Sequence, residues 1–285
     1  MTQGPDGGQP ADQRALPTAS AASSAAAPAL APNRTAFRPT VSESDVPVGY
    51  RLASRGPGAF YAQLILDDLG SPGAPPRPTV LDIGCGGGLM SEVVWQHHIA
   101  LRAGRFLGVE PDAEAQPAPV FEQVFRGTFE QAPIDPASVD LAYAAMVIEH
   151  VPQPRAFFDQ LARVLRPGGV FWAFTVDRRH YFSWASQLID ALHLKDGYLD
   201  RVRGRKGEHG ARYDNYPVFY RCNSPAVLAR LAGDPFTLQT WSLHRVGQLD
   251  GYVPYRLRRL SRLADRVVIR AGLPGSVLVA RMVRR

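Results

Sequence analysis

The run Thr79-Val-Leu-Asp-Ile-Gly-Cys-Gly-Gly-Gly88 sets glycines at 84, 86, 87 and 88 directly behind a short apolar stretch. A strand that breaks into such a turn and then opens a helix, here over Leu89–Gln96, gathers backbone N–H groups and a helix N-terminus around one point. That is a cradle for a small polar ligand. Gly84, Gly86 and Gly88 can adopt backbone angles closed to other residues and let a ligand approach the main chain. About twenty residues on, Phe106-Leu-Gly-Val-Glu110-Pro-Asp112 reads as a buried strand ending in a carboxylate, placed to accept both hydroxyls of a ribose. A third turn, Gly127-Thr128-Phe129-Glu130, and a fourth stretch, Ser138 to Glu149-His150-Val151, follow in order. His150 is placed to take a proton from an attacking group; the competing reading is a helix-start residue bonded to Glu149 or to the backbone. Glu149 could orient His150 or bind a metal, but no second carboxylate pair at metal spacing accompanies it, so no metal is expected.

These groups need a scaffold that brings them to one edge. Apolar runs at Val80–Ile83, Arg105–Val109, Val124–Phe125, Val139–Tyr143 and Val170–Val176 alternate with helical segments, notably Ala156–Leu165. Strands alternating with helices imply an α/β fold with a parallel sheet wound on both faces. Leu165-Arg-Pro-Gly-Gly-Val ends a helix before the fifth strand. Upstream, Ala59–Leu69 has apolar residues at helical spacing and is expected to pack beside the fold as a lid or brace.

After Val176 the alternation stops. Residues 177–223 form an aromatic, arginine-rich insertion where a cap or substrate-binding lobe would sit. Within it Tyr216, Phe219 and Tyr220 would stack on a ring or sugar and Arg221 would clamp an anion; alternatively these aromatics glue the insertion to the sheet. A helix over Ser224–Leu231 and a strand over Phe236–Leu243 resume the core. Pro254–Leu273 is a further helix, with Leu257, Leu260, Leu263 and Val267 on one face and arginines on the other. Ser276–Met282 closes the chain as a strand.

Length and composition bound the answer. The chain has 285 residues, enough for one domain with extras. Residues 1–45 are rich in Ala, Pro and Ser and too poor in apolar groups to offset their ordering entropy; they are expected to be a disordered tail before a domain over 46–285. No apolar run is long enough for a transmembrane span, and no secretory leader is visible. Cys85 and Cys222, the two cysteines, are too few for a disulfide framework, so a reducing, cytoplasmic setting is expected. The formal net charge is +6, carried by arginine except at Lys195 and Lys206. That balance permits an anionic partner without demanding one.

Together the loop, the acid, the Glu149-His150-Val151 exit and the Arg166-Pro-Gly-Gly turn resemble the class I S-adenosylmethionine-dependent methyltransferases, in the methyltransferase-11/23-like branch. The resemblance covers residues 78–176 firmly and the rest loosely. It implies a Rossmann-like, doubly wound, seven-stranded, mostly parallel sheet whose last strand, Ser276–Met282, is antiparallel. It implies S-adenosylmethionine as cofactor: Asp82 near the amino group of its methionine moiety, Gly84, Cys85, Gly86 and Gly88 around the same part, and Glu110 on the ribose. Thr128 and Phe129 match the adenine-contacting pair, although the family often has Asp at the position of Thr128. Main-chain groups of Ala144, Ala145 and Met146 would touch the methionine end. The expected reaction is methyl transfer to O or N of a small-molecule or glycan-type acceptor, because Tyr216-Pro-Val-Phe-Tyr-Arg-Cys-Asn-Ser-Pro225 is similar to bacterial methyltransferases of glycan and natural-product assembly. The alternatives are a nucleic-acid acceptor held by Arg201–Lys206 and Arg256–Arg270, a lipid acceptor with Pro254–Leu273 lying on a membrane, and a cofactor-binding scaffold without turnover. A dinucleotide dehydrogenase would want a third glycine where Leu89 stands.

Overall fold

The computed structural model describes residues 56–194, 197, 216–247, 250 and 253–285; the tail expected over 1–45 and the basic run Arg201–Lys206 lie outside the described residues. Seven strands form one sheet: β1 (Thr79–Ile83), β2 (Arg105–Glu110), β3 (Gln123–Arg126), β4 (Val139–Ala145), β5 (Leu165–Val176), β6 (Phe236–Leu243) and β7 (Val277–Arg284). Their spatial order is β3-β2-β1-β4-β5-β7-β6. β1 to β5 run parallel, and β7 is antiparallel to both its neighbours. The helices are α1 (Gly56–Leu69), α2 (Val93–Ala100), α3 (Pro154–Val164), α4 (Tyr181–Ala191), α5 (Pro225–Ala232) and α6 (Arg258–Arg270).

All five residues of β1 are buried, as a central parallel strand covered on both faces requires. Strand periodicity sorts its side chains: Leu81 and Ile83 join the core on the α3 and α5 side, with Leu161 and Leu228, whereas Val80 joins the opposite core with Tyr61 and Ile65 of α1. Asp82 therefore lies on the face that α1 and α2 cover. α1 acts as a brace. The ring of Tyr61 stacks on Phe174 at 4.1 Å, and Asp68 accepts hydrogen bonds from Trp172 Nε1 at 2.8 Å and Arg281 Nε at 2.8 Å.

Three local features depart from expectation. The helix expected from Leu89 begins at Val93, because Leu89 is drawn into the core and Met90 and Ser91 then take left-handed backbone angles, φ 56° and 65°. The Arg166-Pro-Gly-Gly169 turn is absorbed into β5 as a bulge: Val139 pairs with Leu165, yet Leu141 pairs with Val170. The third concerns α6, which buries Ser261 and Asp265 and leaves its leucines outside. Asp265 accepts hydrogen bonds from the Tyr181 hydroxyl and from Gly247 N–H. A buried carboxylate requires such donors, and supplying them fixes which face of the helix turns inward.

Candidate functional site

β1 and β4 are adjacent, but the chain leaves β1 towards β2 on one side and β4 towards β5 on the other. Where connections diverge in this way, a crevice opens at the carboxyl ends of the strands. The glycine loop follows β1 into that crevice. Gly84 and Cys85 both donate their N–H to Val109 O, at 2.8 and 3.1 Å, so the loop's first turn is pinned to β2. Gly84 has φ +77°, and a Cβ there would stand 2.4 Å from Cγ2 of Val147. Its lack of a side chain thus serves the packing of the segment after β4. Gly88, at φ +114°, would push a Cβ to 2.6 Å from Val93 N and spoil the start of α2. Around Gly87 there is open space.

Glu110 ends β2 beside this loop, with 6% of its surface exposed. Its Oε2 accepts Gly86 N–H at 2.7 Å and its Oε1 accepts Asp112 N–H at 2.9 Å. Two backbone donors hold the carboxylate still. Each oxygen keeps a further lone pair for a ligand hydroxyl. A Cβ on Gly86 would approach Glu110 Oε2 to 3.3 Å, so this glycine admits the acid to the loop.

Asp82 lies beneath the loop, in register with Tyr143 of β4. The Tyr143 hydroxyl donates to its Oδ2 at 2.7 Å and Gln96 Nε2 of α2 donates to the same oxygen at 2.8 Å. Oδ1 takes part in neither bond. Burial pushes the Asp82 carboxyl up to about 7, against the pull of the Tyr143 and Gln96 bonds, and the Glu110 charge adds to the rise. Gln96 is fully buried and its Oε1 has no hydrogen-bond partner among the described residues.

At the exit of β4, Met146 turns through φ 57° and donates its N–H to Phe174 O at 2.7 Å. The buried Glu149 accepts the Thr175 hydroxyl at 2.7 Å, so its partner is β5 and not His150. Burial raises the Glu149 carboxyl, with His150 and the Thr175 bond opposing. His150 Nδ1 lies 2.7 Å from Pro217 O. A carbonyl oxygen only accepts, so Nδ1 carries the proton and Nε2 keeps the lone pair of the neutral ring.

Pro217 belongs to a strap that crosses this edge. Tyr216 donates its hydroxyl to Asp112 Oδ2 at 2.6 Å, beyond the end of β2, and its ring meets His150 edge-on at 5.9 Å between centroids. Phe219 and Tyr220 donate their N–H to Glu149 O at 2.8 and 3.2 Å. Cys222 donates its thiol to Ile148 O at 3.0 Å. The strap thus spans the crevice from the β2 side to the β4 side.

Residues 81–173 match the family model described as a methyltransferase domain. Among curated proteins, the ubiquinone biosynthesis O-methyltransferase of Idiomarina loihiensis is 31% identical over 124 residues, covering 40% of this chain and 49% of that protein. An uncharacterized methyltransferase of Mycobacterium leprae is 32% identical over 136 residues, covering 42% and 49%. The chain spans about half the length of the curated relatives it matches. Among solved structures, geranyl diphosphate C-methyltransferase from Streptomyces coelicolor A3(2) aligns at a TM-score of 0.48 and 19% identity, covering 80% of this chain and 76% of that one. The chain carries a methyltransferase domain.

The cofactor that the class I resemblance implies is S-adenosylmethionine, and the residues present fit it: open backbone at Gly87, a held carboxylate at Glu110 and a spare oxygen on Asp82. The remaining expected positions divide between the crevice and the core. Cys85 faces inward: its carbonyl accepts Gln96 Nε2 at 2.8 Å and its thiol sits where a Cβ on Gly108 would be, so it braces the loop. The Phe129 ring is committed to the core, edge-on to Phe157 at 4.9 Å, which leaves its main chain and the exposed Thr128 beside the crevice. Ala144 is buried, with Ala145 and Met146 half-buried at the edge. Tyr220 is buried at φ 49°, and Arg221 donates to Pro152 O at 2.5 Å with its guanidinium over Phe219; neither is directed as a free wall or clamp. Among the described residues no His, Cys, Asp and Glu group is arranged to hold a metal ion.

Sequence reasoning missed Gln96, Tyr143, Asp112 and Val147. It also missed buried polar groups at the ends of β5 and β6. There Asp177 accepts the Ser242 hydroxyl at 2.7 Å and pairs with Arg179 at 3.0 Å. Burial depresses His180 to about 4, and His244 Nε2 lacks a partner among the described residues. The one sequence signal was position: Asp177-Arg-Arg-His180 directly follows the strand that ends at the crevice.

Proposed function

We propose that this domain transfers the methyl group of S-adenosylmethionine to an oxygen or nitrogen of a small-molecule acceptor. The carrying observation is Glu110, held by Gly86 N–H and Asp112 N–H at the end of β2 with lone pairs left over. In this reading Glu110 accepts the two ribose hydroxyls, Asp82 Oδ1 accepts the amino group, and Thr128 with the Phe129 main chain borders the adenine. When bound, the sulfonium supplies a methyl group activated towards in-line displacement. The chain's own part is to position and to exclude water. The strap from Tyr216 to Cys222 covers the crevice, which favours a small acceptor over a polymer. Relatives named for ubiquinone biosynthesis support the same class.

His150 would act as the base. Its Nδ1–H is fixed on Pro217 O, so Nε2 is the nitrogen left to accept a proton from the acceptor. His150→Ala should lower turnover by about 10²-fold or more and leave cofactor affinity within about twofold. The check is release of S-adenosylhomocysteine against a panel of phenolic and sugar acceptors, beside a cofactor titration. An unaltered rate would remove His150 from the chemistry.

Asp82 gives a pH signature. Its carboxyl titrates at about 7 in the ligand-free protein, and a neighbouring ammonium favours the charged form. Binding then expels a proton, so affinity rises as pH climbs through about 7 and flattens above it. Asp82→Asn should remove that part of the slope while keeping acceptors for Tyr143 and Gln96. Calorimetric titration between pH 6 and 8 of both proteins is the test; parallel slopes would place the amino group elsewhere.

A further inference from the structure

α6 is amphipathic, yet its apolar stripe is not its packing face. Leu260, Leu263 and Val267, spaced as one side of a helix, are 63%, 51% and 56% exposed. α4 does the same with Trp184, Leu188 and Leu192, four residues apart and 66%, 62% and 57% exposed. The two helices are tied at one point, where the Tyr181 hydroxyl that opens α4 donates to Asp265 on the inward side of α6. Both also leave the sheet at one place. α4 follows β5, α6 links β6 to β7, and Val277 of β7 pairs with the last residues of both, Val176 and Leu243. That is the carboxyl edge, where the cofactor crevice opens. A row of exposed apolar side chains along one helix face marks an interaction surface.

The charges say what kind. The stretch Arg256–Arg270 carries six arginines and one acid, Asp265, which is buried and faces inward. Among the described residues, Arg262 is the arginine of this helix paired with a carboxylate, Asp250, at 2.5 Å. We propose that the outer face of α6 docks on an anionic lipid surface, with Leu260, Leu263 and Val267 at the acyl boundary and the arginines on lipid phosphates. A helix with an apolar stripe beside a row of arginines lies in such an interface. No helix of the described residues is long and apolar enough to cross a membrane, so the contact is peripheral. A second copy of the chain is disfavoured, because a two-fold interface would bring like arginine rows together. A nucleic acid would engage the arginines but give the apolar side chains nothing to cover them. The docking goes beyond the proposed methyl transfer and needs neither cofactor nor turnover.

The test is co-sedimentation of the full chain, without cofactor, with vesicles of phosphatidylcholine alone and of phosphatidylcholine with phosphatidylglycerol. Binding is expected to the anionic vesicles and to weaken with added salt. Leu260→Glu with Leu263→Glu should abolish it, and Arg259→Gln with Arg266→Gln should weaken it roughly fivefold per arginine. All four positions are exposed, and an unchanged melting temperature would certify the fold. Three results would overturn the proposal: no binding to anionic vesicles, undiminished binding by the Leu→Glu protein, or light scattering that shows a dimer broken by the same pair. Salt-sensitive binding to an RNA duplex that the Leu→Glu pair leaves intact, without vesicle binding, would assign the face to nucleic acid instead.

Discussion

Replacing Glu110 by Ala is expected to weaken S-adenosylmethionine binding by about 10²-fold or more, since each hydrogen bond to a charged group contributes roughly 1.5–3 kcal/mol and a ribose offers two. The loss has two sources. The direct one is the carboxylate itself. The indirect one is the loop: Gly86 N–H and Asp112 N–H both donate to Glu110 at 2.7 and 2.9 Å, and without it they point into the crevice unpaired. Glu110→Gln separates the two, because an amide oxygen can keep one backbone donor while the charge is gone. Its affinity should lie between those of the wild type and the Ala variant. Calorimetry at fixed pH decides, with thermal melting to confirm that each protein is folded. Equal affinity for all three proteins would mean that the ribose lies elsewhere, and the reading of the crevice would fail with it.

The second large effect is steric. Gly84→Ala should cost about 2–4 kcal/mol of stability, the sum of a left-handed backbone angle forced on a side chain and an overpacked contact. The new methyl would stand 2.4 Å from Cγ2 of Val147. Valine is stiff about its first torsion and cannot swing clear cheaply. In a Val147→Ala background the same change should cost less by about 1–2 kcal/mol, because the obstructing methyl is absent. Denaturant unfolding of the four proteins of this cycle measures the coupling. If Gly84→Ala costs the same in both backgrounds, the loop and the β4 exit do not touch as described. The contact bears on function as well as stability, because Val147 leads into Ile148-Glu149-His150 and a shift there moves the base relative to the cofactor loop.

Much of the cofactor half was legible before any coordinates. A strand buried on both faces reads as an unbroken apolar run, and glycines after it can only be a turn, so β1 and its loop announce themselves. Glu110 was found by its place: an acid ending an apolar strand about twenty residues past the glycines lies at the same sheet edge as the loop. The start of α2 was misread because the pattern continues through Leu89, whose burial satisfies helix and turn alike. Cys85 and Phe129 matched a motif by position, but position does not say which way a side chain points. Cys85 turns to fill the space left by Gly108, and Phe129 turns to Phe157.

By itself, the sequence determined the alternation of strands and helices, the cradle after β1, the acid at the end of β2 and the histidine beyond β4. Each rests on neighbours within a few residues, where spacing and geometry are linked. Only the tertiary structure decided what lies across the crevice. Asp82 meets Tyr143 61 positions away, His150 meets Pro217 67 away and Tyr216 meets Asp112 104 away. Such bonds have no period to betray them. It also decided which way α6 faces: the helical repeat reveals that two faces differ, but a buried carboxylate needing donors, not the leucines, chose the inner one.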